Sequence, residues 1–217
     1  MQGSQMNGEP SAARRRMVRE QITARGVSDP RVIAAMESVP RHEFVPEDIR
    51  VFAHDDRPLP IGHGQTISQP YIVAFMIDRL ALQPGARVLE IGTGGGYQAA
   101  VLAKIAAEVF TIEIVAPLAE RAKNDLRRLG YQNVHVKHGD GHQGWPEEAP
   151  FDGIIAACAP DQIPPPLVAQ LAEGERLVIP VGGTGAQELR ILEKRNGTME
   201  LRDILPVRFV PMTGGNG

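Results

Sequence analysis

The stretch Val88-Leu89-Glu90-Ile91 followed by Gly92-Thr93-Gly94-Gly95-Gly96-Tyr97 constrains this chain more than any other. Three apolar residues around one carboxylate read as a short buried parallel strand. The glycines then permit a sharp turn, and Gln98-Ala99-Ala100-Val101-Leu102-Ala103 opens a helix. A strand, a glycine turn and a helix make a pocket in which backbone N–H groups and the helix N-terminus face a ligand. Glycine suits it because a Cβ would keep the ligand from the backbone.

Glu90 limits which ligand fits. A carboxylate at the end of a buried strand suits a cationic or hydroxyl-bearing ligand better than a pyrophosphate. A P-loop is excluded, because no Gly-Lys-Ser/Thr follows the glycines. Gly94-x-Gly96-x-x-Ala99 does satisfy the loose form of a dinucleotide fingerprint, and Glu113 lies near its expected acid. At this point both kinds of cofactor remain open.

The rest of the chain supplies the frame. With 217 residues and one alternation of strands and helices, a single domain is expected. A net charge of −3 gives no broad footprint for nucleic acid. No apolar run is long enough for a bilayer, no signal-peptide core stands near the N-terminus, and the single Cys158 fits a reducing compartment. The expectation is a cytoplasmic chain with no nucleic-acid or membrane partner.

Residues 1–13 are expected to form a disordered tail and 14–217 one domain, with helices and a lid loop over 14–82 and a cofactor-binding α/β core over 83–217. A first helix is predicted from Arg14 to about Arg25, stopped by Gly26, with Arg14-Arg15-Arg16 on a solvated face. Asp29 can cap a second helix with Pro30 at its first position, and Val32, Ile33, Met36 and Val39 form its buried stripe. Arg41 to Pro70 lacks periodicity, yet Phe44, Val45, Ile49, Val51, Phe52, Leu59, Ile61 and Ile67 all favour burial. It reads as an ordered lid or substrate loop. An apolar helix, Tyr71–Leu82, follows, with Ser68 or Gln69 near its cap.

From Arg87 an α/β rhythm takes over. Strands are predicted at Arg87–Ile91, Val109–Ile114, Val134–His138, Phe151–Ala157 and Arg176–Val181. Helices are predicted at Tyr97–Ala106, Ala116–Gly130 and Pro165–Ala172. Gln187–Arg195, the turn Asn196-Gly197 and Asp203–Phe209 complete the chain as a hairpin. The pattern is a doubly wound, mostly parallel sheet with a C-terminal antiparallel hairpin.

Glu113, ending the second strand, is placed to accept the hydroxyls of a ribose, and we expect it at the topological switch point. Asp140, between Gly139 and Gly141, can accept from an exocyclic amine such as that of adenine, or form a simple Asp-Gly turn. Glu90, Glu113 and Asp140 around one pocket, with no lysine or arginine, argue against a phosphorylated ligand. They favour a nucleoside whose other end is cationic, and S-adenosylmethionine has that chemistry. Cofactor contacts are expected at Glu90, Gly92, Thr93, Gly94, Gly96, Glu113, Asp140 and Gly141.

The chain also resembles the bacterial protein-L-isoaspartate O-methyltransferases over Arg14 to Gly217. The likeness rests on Val88 to Gly94 with Gly96-Tyr97-Gln98-Ala99-Ala100, on Arg41-His42-Glu43-Phe44-Val45-Pro46, on Gln65-Thr66-Ile67-Ser68-Gln69-Pro70-Tyr71 and on Gly139-Asp140-Gly141. Gly144-Trp145-Pro146-Glu147-Glu148-Ala149-Pro150-Phe151-Asp152, Leu177-Val178-Ile179-Pro180-Val181-Gly182 and Phe209-Val210-Pro211-Met212-Thr213 extend it.

The resemblance implies a Rossmann-like methyltransferase fold with a seven-stranded sheet. It implies methyl transfer from S-adenosylmethionine to the free α-carboxylate of L-isoaspartyl residues in damaged proteins, leaving S-adenosylhomocysteine. The methyl ester would then collapse to a succinimide and open in part to aspartate. Ser68 would be the active-site residue, Thr66 and Ile67 would border the cofactor, and Thr213 would close the site. A monomer is expected, since a protein substrate needs an open approach.

The chain departs from the family pattern at Gly95, where serine is common, at Glu175, where glycine is common, and at Cys158, where alanine or a small polar residue is more usual. His135, His138 and His142 have a metal-like spacing, but strand residues so spaced point to opposite faces, so no metal is expected. The rival readings are a nicotinamide-dependent oxidoreductase and a methyltransferase for nucleic acid or another small molecule. The first lacks a hydride-chemistry group. Amino-methylating nucleic-acid enzymes carry Asn/Asp-Pro-Pro-Tyr where this chain has Ala157-Cys158-Ala159-Pro160.

Overall fold

The structure, a computed structural model, describes residues 8–183 and 185–215. Helix α1 (Gly8–Met17) starts six residues before the expected Arg14, then loosens into a π-helical turn at Val18–Ile22 and tightens again at Thr23–Arg25. Met17, Val18 and Ile22 are buried, and Gly26 ends the run in the left-handed region. The first seven residues of the expected tail lie outside the described residues. Helix α2 (Pro30–Ser38) starts as the sequence predicts: Asp29 accepts a hydrogen bond from the Arg31 N–H at 2.8 Å, and Pro30 occupies the first position.

The segment from Arg41 to Pro70 is ordered as expected, but Val51 and Phe52 stay exposed, at 79% and 43%, on the outer side of a tight turn whose partners leave them no core to enter. Tight helical turns at Arg41–Phe44 and Glu47–Phe52 precede a hairpin of β1 (Leu59–Gly62) and β2 (Gln65–Ile67). His63 and Gly64, both with positive φ, turn it, as a two-residue hairpin requires. Helix α3 (Pro70–Leu80) follows, but Gln69 at its cap makes no side-chain capping bond, and the Ser68 hydroxyl makes none either.

The core then runs β3 (Arg87–Ile91), α4 (Tyr97–Leu102), β4 (Glu108–Glu113), α5 (Ala116–Arg128), β5 (Val134–His138), β6 (Phe151–Ala156), α6 (Pro165–Gln170), β7 (Leu171–Val181), β8 (Gln187–Arg195) and β9 (Thr198–Val207). The seven strands lie in the order β5-β4-β3-β6-β7-β8-β9. The first five are parallel, β8 is antiparallel to β7, and β9 is antiparallel to β8. This is the doubly wound sheet the sequence predicts.

Boundaries differ where tertiary contacts override the local pattern. Helix α4 stops at Leu102 instead of Ala106, because the chain turns at once so that the Ala107 N–H can reach the Ala86 carbonyl. Strand β9 begins directly after Asn196-Gly197 and ends at Val207. Phe209 is held instead by the Gln187 side-chain amide, whose oxygen accepts the Phe209 N–H at 2.6 Å and whose nitrogen donates to the Phe209 carbonyl at 3.1 Å.

Alternation along the strands divides the core. Val88, Val109, Ile155 and Val178 pack with α2, α3, α4 and α5 on one face, while Leu89, Ile91, Phe110 and Ile154 pack with α6 on the other. The N-terminal helices thus share a core with the sheet. Strand order reverses between β3 and β6, so the switch point lies there and Glu113, on β4, stands one strand away from it.

Candidate active site

At the carboxyl end of β3 the Gly92 and Thr93 N–H groups both reach the Ile112 carbonyl, at 2.8 and 3.2 Å, which ties the turn to β4. Gly92, Gly94 and Gly96 have φ of 90°, 53° and 90°, values that a side chain rarely adopts. The Glu113 carboxylate closes the arrangement. One oxygen accepts the Gly94 N–H at 2.7 Å and the other the Val115 N–H at 2.9 Å. Each oxygen keeps a lone pair for a further donor.

A cavity opens above this turn. Gln65, Thr66, Ile67 and Ser68 form one side, Glu113 and Ile114 another, and Val210 to Thr213 its C-terminal border. That border is pinned over β6 by paired bonds between Ala159 and Val210, at 2.9 Å, and between Met212 and Ala159, at 2.7 Å. Among the described residues, no lysine or arginine lines the cavity. Of the residues predicted for the site, Thr66, Ile67, Ser68, Gly92, Thr93, Gly94, Glu113, Gly141 and Thr213 lie on its wall.

Three others do not. Glu90 has no solvent exposure and lies beneath the turn, where its Oε2 accepts from the Thr111 hydroxyl at 2.6 Å. The Thr93 hydroxyl stands a further 2.6 Å from that of Thr111. Burial pushes the Glu90 carboxyl up to about 8; the Thr111 and Gln98 bonds oppose this and Glu113 adds to it. Gly96 faces away, since a Cβ there would press on Leu126 and Ala122 of α5.

Asp140 is the third. Its carboxylate is taken by the His142 N–H and ring at 2.9 Å each and by the Gly215 N–H at 2.7 Å. Burial opposes its ionisation, but those donors outweigh it and hold the carboxyl below its ordinary value. The Asp-Gly turn is therefore the reading that the geometry favours.

The sequence did not single out Gln98, Ile114, Val210 or Met212 for the wall. Gln98 Nε2 and Glu90 Oε1 are both shielded from solvent, and the Gln98 amide acts on the Glu90 carboxyl. Cys158, also on the wall, is a neutral thiol: burial pushes it up to about 12, and Glu113 and Glu90 add to the effect. Gly95 packs against the Phe44 carbonyl oxygen, 2.9 Å from where a Cβ would stand, so serine would force a shift here. Glu175 lies in β7, away from the cavity. His135 stacks on Phe110 at 4.8 Å, His138 reaches the Ile114 carbonyl and His142 pairs with Asp140, so the three rings have separate partners.

The donor set fits S-adenosylmethionine. A wall that carries the Glu113 carboxylate and, among the described residues, no lysine or arginine accepts a sulfonium, and Glu113 retains acceptor capacity for ribose hydroxyls. A pyrophosphate would meet like charge.

Beside the cavity runs a groove lined by Tyr71, Ile72 and the segment Leu205 to Pro211. Thr66 and Ser68 belong to both walls. The Ser68 carbonyl accepts from the fully buried Arg41 at 2.8 Å. Neither His42 nor His63 lines the cavity or the groove.

Comparison with known proteins gives a consistent result. The family model for protein-L-isoaspartate(D-aspartate) O-methyltransferase matches residues 12–217. A protein-L-isoaspartate O-methyltransferase of Picosynechococcus sp. is 57% identical over 203 residues, which cover 94% of this chain and 91% of the relative. Another from Opitutus terrae is 56% identical over 201 residues, with 92% and 86% covered. A solved protein-L-isoaspartate O-methyltransferase superposes with a TM-score of 0.82 at 31% identity, covering 93% of this chain and 66% of its own. A Plasmodium falciparum protein, described as a β-aspartate methyltransferase in complex with S-adenosyl-L-homocysteine, gives 0.80 at 29% identity, with 92% and 98% covered.

Proposed function

Because the chain belongs to the protein-L-isoaspartate(D-aspartate) O-methyltransferase family, we propose that the wall around Ser68 is where its methyl transfer takes place. The chain transfers the methyl group of S-adenosylmethionine to the free α-carboxylate of L-isoaspartyl residues in damaged proteins. One observation supports the placement: Thr66, Ser68, Ala157, Val210 and Pro211 line both the cofactor-type cavity and the adjacent groove, and of these five Thr66 and Ser68 carry hydroxyls at the boundary.

S-adenosylmethionine, when bound, supplies a methyl group activated by its sulfonium. Gly92, Thr93 and Gly94 would form its floor, Glu113 would accept its ribose hydroxyls, and Thr66, Ile67, Gly141 and Thr213 would enclose it. Glu90 acts from beneath, through Thr111 and Thr93. The acceptor carboxylate is already ionised at neutral pH, so no base is needed. The task left is alignment with water excluded, and such positioning can supply roughly 7–11 kcal/mol. Ser68 donates its hydroxyl to one acceptor oxygen and holds the other in line.

The nicotinamide reading gains nothing from a wall without lysine or arginine, and the relatives above give no support to nucleic-acid methylation. Among the described residues no helix is long and apolar enough to cross a membrane. A protein acceptor needs an open groove, and we read the chain as a cytoplasmic monomer with no nucleic-acid or membrane partner. Ser68→Ala tests the assignment: turnover should fall at least about tenfold, roughly 1.4 kcal/mol of alignment, while affinity for S-adenosylmethionine stays within about twofold. Unchanged turnover, or parallel loss of both, contradicts it.

A further inference from the structure

We propose that the hollow between α1 and the turns bearing His42 and His54 binds a soluble, multiply phosphorylated anion. Arg15, Arg16 and Arg19 line it from the helix, and Arg50, His42 and His54 face them from the other side. It shares no lining residue with the methyl-transfer cavity. Among the described residues, no acidic side chain lines it.

The charges are only partly offset. Glu20 pairs with Arg19 at 2.7 Å. Glu43 lies 3.6 Å from His42 and 3.9 Å from Arg50, but it makes its shorter bond, 3.0 Å, to Arg128. Arg15 bonds the neutral Ser11 hydroxyl at 2.8 Å, and among the described residues Arg16 has no ion pair. The chain as a whole carries a net charge of −3, so a basic composition does not account for four arginines lining one hollow. Like charges one helical turn apart cost stability when no anion joins them.

A second observation is independent of charge. His42 Nδ1, His54 Nε2 and Arg50 Nε are shielded from solvent without a hydrogen-bond partner, with the two rings 6.1 Å apart. Unmet polar atoms in one wall are typical of a site that an ion or ligand completes, and untypical of a solvated surface. Guanidinium forks match phosphate oxygens, and arms on opposite sides suit more than one phosphoryl group. Among the described residues, no phenylalanine, tyrosine or tryptophan lines the hollow to stack a base.

The test is calorimetric titration of the full chain with inorganic tripolyphosphate at low and physiological salt. Saturable heat is expected, weakened at least about tenfold by Arg16→Gln with Arg50→Gln, and weakened by added salt. Arg16 lies on an exposed helix face, so Arg16→Gln alone serves as the variant whose folding is undisturbed; it should weaken binding in the same direction. Methyl transfer to an isoaspartyl peptide should be unchanged in both variants. Absence of heat, equal affinity in wild type and variants, or binding confined to anionic phospholipid vesicles or an oligonucleotide would overturn the proposal.

Discussion

The Arg41 guanidinium donates to the Ser68 carbonyl oxygen at 2.8 Å from a position with no solvent exposure. Its Nε reaches the Ala53 carbonyl at 2.7 Å, and its cation lies 4.7 Å from the centre of the Tyr97 ring. One side chain thus joins the turn after α2, the turn before the β1–β2 hairpin and the loop that presents Ser68. Burial lowers the guanidinium to about 10, against the pull of Tyr97, which leaves it charged at neutral pH.

Arg41→Met should therefore orphan two carbonyls, at roughly 1–3 kcal/mol each. The urea midpoint should fall accordingly with an unchanged slope, and turnover should fall more than cofactor affinity. Arg41→Lys should not rescue it, since an ammonium cannot span both acceptors as the fork does. A wild-type midpoint in Arg41→Met would show that the two carbonyls find other partners.

Glu90 predicts a pH dependence. Its carboxyl is raised from 4.5 to about 8 in the folded chain. A group that holds its proton more tightly when folded stabilises the fold fully below its unfolded value, and that contribution is lost as pH rises through the folded one. Stability should thus decline between about pH 5 and about pH 8, and Glu90→Gln, which stays neutral, should flatten that decline. Urea unfolding across the range checks this; identical slopes in the two proteins would count against it. A cationic cofactor favours the ionised carboxyl, so its binding should release protons near neutrality.

Gly141 is set by space. A Cβ there would fall inside contact distance of Ile91 Cγ2 and stand 3.0 Å from Met212 Cε. Gly141→Ala should cost about 1–3 kcal/mol by overpacking and weaken cofactor binding by displacing the C-terminal border of the cavity. Thermal unfolding and calorimetry read both effects, and a variant matching wild type in both would refute the packing argument.

The strand, turn and helix from Arg87 to Leu102 were legible because period and glycine spacing agree with what the sheet imposes. Asn196-Gly197 was legible for the same reason, since its turn chemistry is local. The β1–β2 hairpin was not: its strands are short, Pro60 interrupts one, and His63 fills a position usually taken by asparagine or glycine. Glu113 could be placed on the cavity wall because a strand end fixes where its side chain points, but its distance from the switch point depends on a strand order that the sequence does not carry. Asp140 could not, because the donors that claim its carboxylate include Gly215, 75 residues away. Its motif position puts Glu90 toward the ligand, yet alternation turns it under α4, a consequence visible only once the strand's faces are assigned. Cavity residues from the C-terminal segment depend on the Ala159 pairing, which leaves no local pattern.

The most direct measurement is transfer of tritiated methyl from S-adenosylmethionine to an isoaspartyl peptide beside its ordinary aspartyl twin. Label on the isoaspartyl peptide alone is the predicted result, with base-labile release as the ester collapses. Label on both peptides, or on neither, would contradict the account.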